Sequence, residues 1–164
     1  VRRRIALLSE QFGEPVGSGS ASGYTFPGPE RIACHDSVEC LSTCKLGYRA
    51  PYVFSSSRDA AAGTGWEETI RSLPYEEARK KMTKFAGIGP KAADCVLLFA
   101  FQKYEAFPVD VWIRRIMREH YLPELSEEKA MTTREYDTIR RFARKHFGDY
   151  CGYAQEYLYA GREG

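Results

Sequence analysis

The sequence predicts an all-α bundle, and three observations carry that prediction. Beyond residue 29 apolar side chains recur at helical spacing, no stretch shows the period-two alternation of a strand, and connections are short and often carry Gly or Pro. Arg2-Arg3-Arg4-Ile5-Ala6-Leu7-Leu8 opens the chain as an amphipathic helix already under way, expected to end near Gly13 as its C-cap. Because Val1 is not a start methionine, the chain is expected to be a piece of something longer. Glu14 to Pro29, rich in Gly, Ser and Pro, is the one long loop, which Tyr24 and Phe26 are expected to pin to the core. Short helices are expected from Pro29 to His35 and from Ser37 to Cys44, then a longer one from Tyr48 to about Ala62. Further helices read from Trp66 to Leu73, Tyr75 to Phe85, Pro90 to Gln102, Val111 to Tyr121, Thr133 to Phe147 and Tyr150 to Ala160. There is no internal repeat or low-complexity tract.

A length of 164 residues suits one domain, or two small lobes sharing a core, and suffices for a hydrophobic interior without disulfide or metal staples. The 43% apolar and 28% charged fractions exclude a disordered or collagen-like chain, while the 13% aromatic share is high. The longest unbroken apolar run, Cys95 to Phe101, is seven residues, too short to span a membrane, and no N-terminal stretch resembles a secretory signal. Five cysteines without framework spacing suit a reducing compartment. A soluble, intracellular protein is expected. Cys34, His35, Cys40 and Cys44 lie within eleven residues, yet only the Cys40-x3-Cys44 pair fits a structural zinc pattern, so neither metal nor cofactor is predicted.

The 24 basic and 22 acidic side chains leave a net charge of only +2, which by itself argues for no charged partner. The charges are unevenly placed. Arg79 to Lys91 holds five basic residues and no acid, Val111 to Arg118 three and none, and Thr138 to Gly148 four and none. Such blocks build a phosphate-tracking surface if the fold brings them to one side; each alone reads equally as the solvated face of a helix.

The most specific run is Lys84-Phe85-Ala86-Gly87-Ile88-Gly89-Pro90-Lys91-Ala92-Ala93-Asp94. A helix ends, two glycines make a tight hairpin, and Pro90 opens the next helix where its missing N–H costs nothing. Amides left free beside a helix N-terminus form a ready anion site, the pattern of a helix-hairpin-helix that grips DNA phosphates; spacing alone also allows a plain turn. Lys91 falls in the first turn of that helix, where the positive end of the dipole is expected to lower its pKa and favour the nucleophilic amine. Nineteen residues on, Asp110 within Pro108-Val109-Asp110-Val111 sits where an N-cap would, held ionised by helix amides. An amine to attack and an anion to steady positive charge on a sugar make a candidate catalytic pair. Separately they read as a phosphate-binding lysine and a simple cap.

With these motifs the chain resembles the helix-hairpin-helix DNA glycosylases that carry a Gly/Pro-rich loop and trailing aspartate, and among them the 8-oxoguanine DNA glycosylases. The likeness runs from the helix end at Leu8 to Gly13 through Leu46-Gly47-Tyr48-Arg49-Ala50, Gly87 to Cys95 and Val109-Asp110-Val111 to Gly152-Tyr153-Ala154-Gln155. It implies that residues 1–164 form the helical catalytic region, with the helix-hairpin-helix at 75–102. It further implies a bifunctional enzyme excising 8-oxoguanine opposite cytosine, with Lys91 attacking C1′ to form a Schiff base and Asp110 stabilising the oxocarbenium-like transition state. Cys95 and Tyr159 would flank the flipped base and Gln155 would read its Watson-Crick edge. Tyr48 would wedge the duplex gap, Arg49 would bond the estranged cytosine, and the amides of Gly87 and Gly89 would hold backbone phosphate. The partner implied is double-stranded DNA containing oxidised guanine, bound by a monomer inside the cell, in the cytoplasm or nucleoid of a prokaryote, the favoured case, or in the nucleus of a eukaryote.

Read without the resemblance, Cys95 lies on the apolar stripe Ala92, Cys95, Val96 and Phe99 and reads as core; Tyr159 reads as a core aromatic, Gln155 as a surface amide and Arg49 as a surface charge. The chain also departs from the family pattern. Phe85-Ala86 replaces the usual Leu-Pro before the hairpin, and Trp112 stands where the better-known eukaryotic members carry histidine, which favours a prokaryotic lineage. The iron-sulfur loop of some relatives has no counterpart, since only Cys151 lies near the C-terminus. Full-length members carry an antiparallel β domain ahead of the helical part that this chain lacks, so weakened lesion discrimination is expected. A glycosylase for another damaged base, or a non-catalytic DNA-binding module, remains as an alternative reading.

Overall fold

In the computed structural model, which describes residues 1–17, 22–125 and 130–161, the chain divides into two units. The first comprises Val1–Trp66 with Phe85–Gly87. Its opening helix α1 (Arg2–Phe12) buries Leu8 and Phe12 and leaves the arginines of its first turn exposed. A two-residue antiparallel ladder follows, β1 (Pro15–Val16) with β2 (Gly23–Tyr24), pairing Pro15 with Tyr24 where the sequence predicts only loop. The predicted loop falls in part, at residues 18–21, outside the described residues.

Tyr24 and Phe26 do not pin this loop to the core: they are 50% and 63% exposed. Thr25 closes it instead. Its amide donates to the Glu14 carbonyl (2.9 Å) and its hydroxyl accepts from the Glu14 amide (3.0 Å), so polar bonds do the work expected of aromatic packing. After α2 (Pro29–Ala33), the helix expected from Ser37 to Cys44 is a 3₁₀ segment, Val38–Cys44, capped where the Ser37 hydroxyl accepts from the Glu39 amide (3.1 Å). A second 3₁₀ turn, Gly47–Arg49, leads into α3 (Ala50–Ala62). Leu8, Phe12, Ile32, Leu41, Cys44 and Leu46 form the core of this unit.

The second unit, Glu67–Lys84 with Ile88–Gly164, takes in most of α4 (Trp66–Ser72) and all of α5 (Tyr75–Met82), α6 (Pro90–Phe101), α7 (Val111–His120), α8 (Thr133–Phe147) and α9 (Cys151–Ala160). These helices lie within a few residues of their predicted bounds, and several carry their own stop or start signal. Asp110 caps α7, the Thr132 hydroxyl caps α8 by accepting from the Glu135 amide (3.1 Å), and basic residues crowd the last turns of α5 and α8. Phe107, Val109, Ile113, Met117, Ile139, Ala143 and Cys151 are buried together at its centre. No helix among the described residues is long and apolar enough to cross a membrane.

The start of α9 is held by close backbone approach. The Gly152 amide donates to the Tyr104 carbonyl (2.8 Å) and the Cys151 thiol to the Glu105 carbonyl (3.2 Å). A methyl group on Gly152 would strike Leu98 Cδ1 and stand 2.9 Å from the carbonyl oxygens of Tyr104 and Ala106. Gly152→Ala is therefore expected to destabilise the fold by about 1–3 kcal/mol, as overpacking does. A urea midpoint indistinguishable from that of the parent chain would contradict the packing described here.

Candidate active site

Helix α6 presents two chemically distinct faces. Ala93, Asp94, Leu97, Leu98 and Phe101 are buried, whereas Lys91, Cys95 and Phe99, spaced by four, lie on the other side. Lys91 is exposed, Cys95 half-buried and Phe99 62% exposed. The stripe that reads as core in the sequence is thus turned outward at Cys95 and Phe99, because the inward register is taken by Asp94, a charged residue that finds partners inside.

That outer face lines a cavity of ≈ 250 Å³ with residues from two other segments. Lys91, Cys95 and Phe99 come from α6, Pro108 and Asp110 from the turn before α7, and Gln155, Glu156 and Tyr159 from α9. The two predicted catalytic residues and the three predicted base-pocket residues therefore meet in one place. Phe99, Pro108 and Glu156 join them without having been singled out; helical spacing from Cys95 and adjacency to Gln155 and Asp110 are the signals that point to them. A larger cavity of ≈ 720 Å³, lined by Trp112, His120 and Tyr157 among others, holds none of the predicted catalytic residues.

Asp110 caps α7: its Oδ1 accepts from the Ile113 amide (2.9 Å) and its carbonyl from the Arg114 amide (2.9 Å). Gln155 is only 5% exposed, and its Oε1 is buried without a hydrogen-bond partner among the described residues. An unpaired buried acceptor costs about 1–3 kcal/mol, a cost that a donor reaching this oxygen would relieve. Tyr159 is half-buried and packs against the core of the second unit.

The carboxylate of Asp94 is the feature the sequence reading passed over. It is completely buried, its Oδ1 accepting from the Tyr75 hydroxyl (2.8 Å) and Arg79 Nε (3.0 Å), its Oδ2 from the Tyr136 hydroxyl (2.6 Å). Burial raises its pKa above the ordinary carboxylate value, against the pull of Tyr136, Arg79 and Tyr75. An acid placed among Ala93, Leu97 and Leu98 on one helical face was its available signal.

In the hairpin, Gly87 has φ of +76°, and a side chain there would press on the Tyr52 ring, with a Cβ 2.6 Å from that of Tyr52. Only glycine satisfies both demands. Gly89 is the N-cap of α6, its carbonyl accepting from the Ala93 amide (2.9 Å). Phe85 and Ala86, which depart from the family pattern, are packed within the first unit: Phe85 lies edge-on to Trp66 (5.4 Å) and the Ala86 carbonyl accepts from the Ser56 hydroxyl (2.8 Å). Also in that unit, Tyr48 is 72% exposed, and the Arg49 guanidinium stacks 4.4 Å from its ring centroid.

No protein-family model matches the chain. Individual proteins do. It is 40% identical over 119 residues to a probable N-glycosylase/DNA lyase of Methanothermobacter thermautotrophicus, covering 73% of this chain and 35% of that protein. Among solved structures it superposes on the Clostridium acetobutylicum 8-oxoguanine glycosylase/lyase, bound to DNA with cytosine opposite 8-oxoG, with a TM-score of 0.85 at 32% identity, over 99% of this chain and 53% of that one. A 3-methyladenine DNA glycosylase from Archaeoglobus fulgidus gives a TM-score of 0.69 at 28% identity over 95% of this chain and 50% of that one. The chain belongs to the helix-hairpin-helix DNA glycosylases. It spans about a third to a half of the length of these relatives.

In this member of the family the acid-free blocks are only partly surface charge. Arg79 reaches Asp94, Arg114 makes a two-pronged pair with Glu135 (2.6 and 2.9 Å), and Arg140 pairs with Glu76 (2.5 Å) and Asp137 (3.0 Å). Lys80, Lys81, Lys84 and Lys91 are exposed.

Its cysteines differ in burial. Burial pushes the Cys95 thiol up despite the opposing pull of the Lys91 ammonium, with the charges of Asp94, Asp110 and Glu156 adding to the rise. Burial likewise raises Cys40 and Cys44, and raises Cys151 to about 11. Since the thiolate is the nucleophile, exposed Cys34 is expected to alkylate first with iodoacetamide at pH 7.5, and Cys95 only as the pH climbs past the ordinary thiol range. Peptide mapping with Cys95 labelled ahead of Cys34 would refute this ordering. Among the described residues no cluster of three or more His, Cys, Asp or Glu is placed to hold a metal ion.

Proposed function

We propose that residues 1–164, with the helix-hairpin-helix at 75–102, form the helical catalytic region of an enzyme that flips 8-oxoguanine out of duplex DNA, excises it opposite cytosine and nicks the strand. The observation that carries this reading is the shared cavity, lined by Lys91, Asp110, Cys95, Tyr159 and Gln155, whose Oε1 has no hydrogen-bond partner among the described residues. Its ≈ 250 Å³ falls below the ~300–1,000 Å³ usual for drug-sized ligands and suits a single flat base.

The chemistry runs from these groups. As the N-glycosidic bond breaks, the sugar gains oxocarbenium character and the Asp110 carboxylate stabilises it. The Lys91 amine attacks C1′, the base departs with the bonding electron pair, and proton transfers open the sugar to an imine. Loss of the C2′ proton then expels the 3′ phosphate by β-elimination, and water releases the lysine. Gln155 Oε1 accepts from the N–H donors on the Watson-Crick edge of a guanine-type base, with Cys95 and Tyr159 on its two faces. Gly87 and Gly89 grip phosphate, and Tyr48 and Arg49 occupy the gap and bond the estranged cytosine. The protein works as a monomer on DNA inside the cell, in a prokaryote at the nucleoid. Similarity to a bacterial 8-oxoguanine glycosylase/lyase supports the choice of lesion, and the lower score against a 3-methyladenine glycosylase supports it over other bases.

Borohydride trapping on duplexes carrying 8-oxoguanine opposite cytosine tests the proposal. A covalent adduct absent with undamaged duplex is expected. An adduct formed only with some other lesion transfers the enzyme to that base. Its absence from this chain and from the full gene product that carries it overturns the enzymatic reading in favour of a binding module.

A further inference from the structure

We infer that Asp94 and Tyr136 act as a buried positioning pair that sets where Asp110 stands relative to Lys91. The inference rests on the roles proposed for Lys91 and Asp110. Asp94 follows Lys91 by three residues on α6 but points into the core, away from the cavity. An ionised carboxylate only accepts hydrogen bonds, so the hydroxyl proton of Tyr136 is committed to Asp94 Oδ2 (2.6 Å). The lone pairs of that hydroxyl are left for a donor, and the donor is the amide of Val109 (3.3 Å). Val109 is buried and immediately precedes Asp110. A single directional chain thus runs from the helix that carries Lys91, through α8, to the peptide that carries Asp110.

A second tie grips the same place. Arg114, one turn into α7, holds Glu135 through two bonds, and Glu135 is the neighbour of Tyr136 on α8. Apolar packing alone leaves a turn free to slide by fractions of an ångström, and catalytic geometry tolerates little of that. Replacing a buried ion pair by apolar residues of like volume is often neutral for stability, so stability does not require a carboxylate here. Positioning does.

The charged and titratable groups around Asp94 come from two helices. Tyr75, Glu76 and Arg79 belong to α5, and Tyr136, Asp137 and Arg140 to α8; Arg79 also reaches Asp137 (3.6 Å), and Arg140 bridges Glu76 and Asp137. Burial raises the Asp94 pKa above the ordinary carboxylate value, so its proton returns on acidification sooner than that of a surface aspartate. Once protonated, Asp94 competes for the Tyr136 oxygen that Val109 uses.

The test compares Tyr136→Phe and Asp94→Asn with the parent chain in single-turnover excision, duplex affinity, and borohydride trapping on a pre-formed abasic site. Trapping there needs Lys91 but no glycosidic cleavage, so it reports on α6 alone. Both variants are expected to lose at least about tenfold in excision, with affinity within about twofold and abasic-site trapping largely kept. The acid limb of the excision profile is expected to move to lower pH in Asp94→Asn. Excision by Tyr136→Phe within twofold of the parent overturns the inference, as does a parallel fall of all three readouts. Failure of both variants to fold assigns the pair to the core and overturns it too. A parent chain and full gene product that excise nothing overturn the functional reading first, and the positioning role with it.

Discussion

Lys91→Gln is expected to abolish the borohydride adduct while leaving the fold intact. Glutamine keeps much of the reach and polarity of lysine but offers no nucleophilic amine. Lys91 is exposed at the head of α6, so its replacement removes no core contact and belongs with surface changes, which stay within about 0.5 kcal/mol. Duplex affinity loses at most one cationic contact, which lowers the salt slope by about one unit. A surviving adduct in this variant would place the nucleophile elsewhere, with the other exposed lysines near the hairpin the first to be examined. An adduct absent from the parent chain and the full gene product alike, with Lys91→Gln costing only that one unit of salt slope, would describe a phosphate-binding lysine instead.

Asp110→Asn is expected to reduce single-turnover excision by about 10²–10³-fold, the usual cost of losing one electrostatic partner of a transition state. The structure allows the two roles of this side chain to be separated. As an N-cap, asparagine is about equal to aspartate, so the bond to the Ile113 amide survives in the variant and stability changes little. Asp110→Ala loses both charge and cap, and its stability should fall by roughly a further 1 kcal/mol, read as a lower urea midpoint. Near-normal excision by Asp110→Asn would reduce Asp110 to a helix cap. A midpoint for Asp110→Asn as low as that of Asp110→Ala would mean that the carboxylate is holding more of α7 than its cap bond.

What the sequence makes legible follows the physics of each signal. The hairpin is readable because a left-handed Gly87 and a helix-opening Pro90 have few substitutes, and α7 because Asp110 is an ordinary cap before a periodic stretch. The pairing of Lys91 with Asp110 also comes from position alone. Cys95, Gln155 and Tyr159 do not: by pattern they read as core, surface and core, and only likeness to the glycosylases places them together. Gln155 is buried where α9 meets α6 and the turn before α7, a tertiary event with no local signature. The same holds for Val38–Cys44, where a 3₁₀ and an α-helix share nearly the same apolar spacing. Asp94 escapes for the opposite reason: hydropathy assigns a carboxylate to the surface, and only the donors from α5 and α8 reverse that assignment.

The inward turn of Arg79, Arg114 and Arg140 changes the electrostatics that the proposed duplex partner would meet. A side chain already neutralised by an internal carboxylate displaces no counterion when a phosphate approaches, so it contributes nothing to the entropy that drives electrostatic association. In the proposed DNA complex, counterion release then comes from the basic side chains of these blocks that stay exposed, Lys80, Lys81, Lys84, Lys91, Arg141, Arg144 and Lys145 among them. A smaller release gives the proposed duplex encounter a shallower salt dependence than the number of basic residues in those blocks implies.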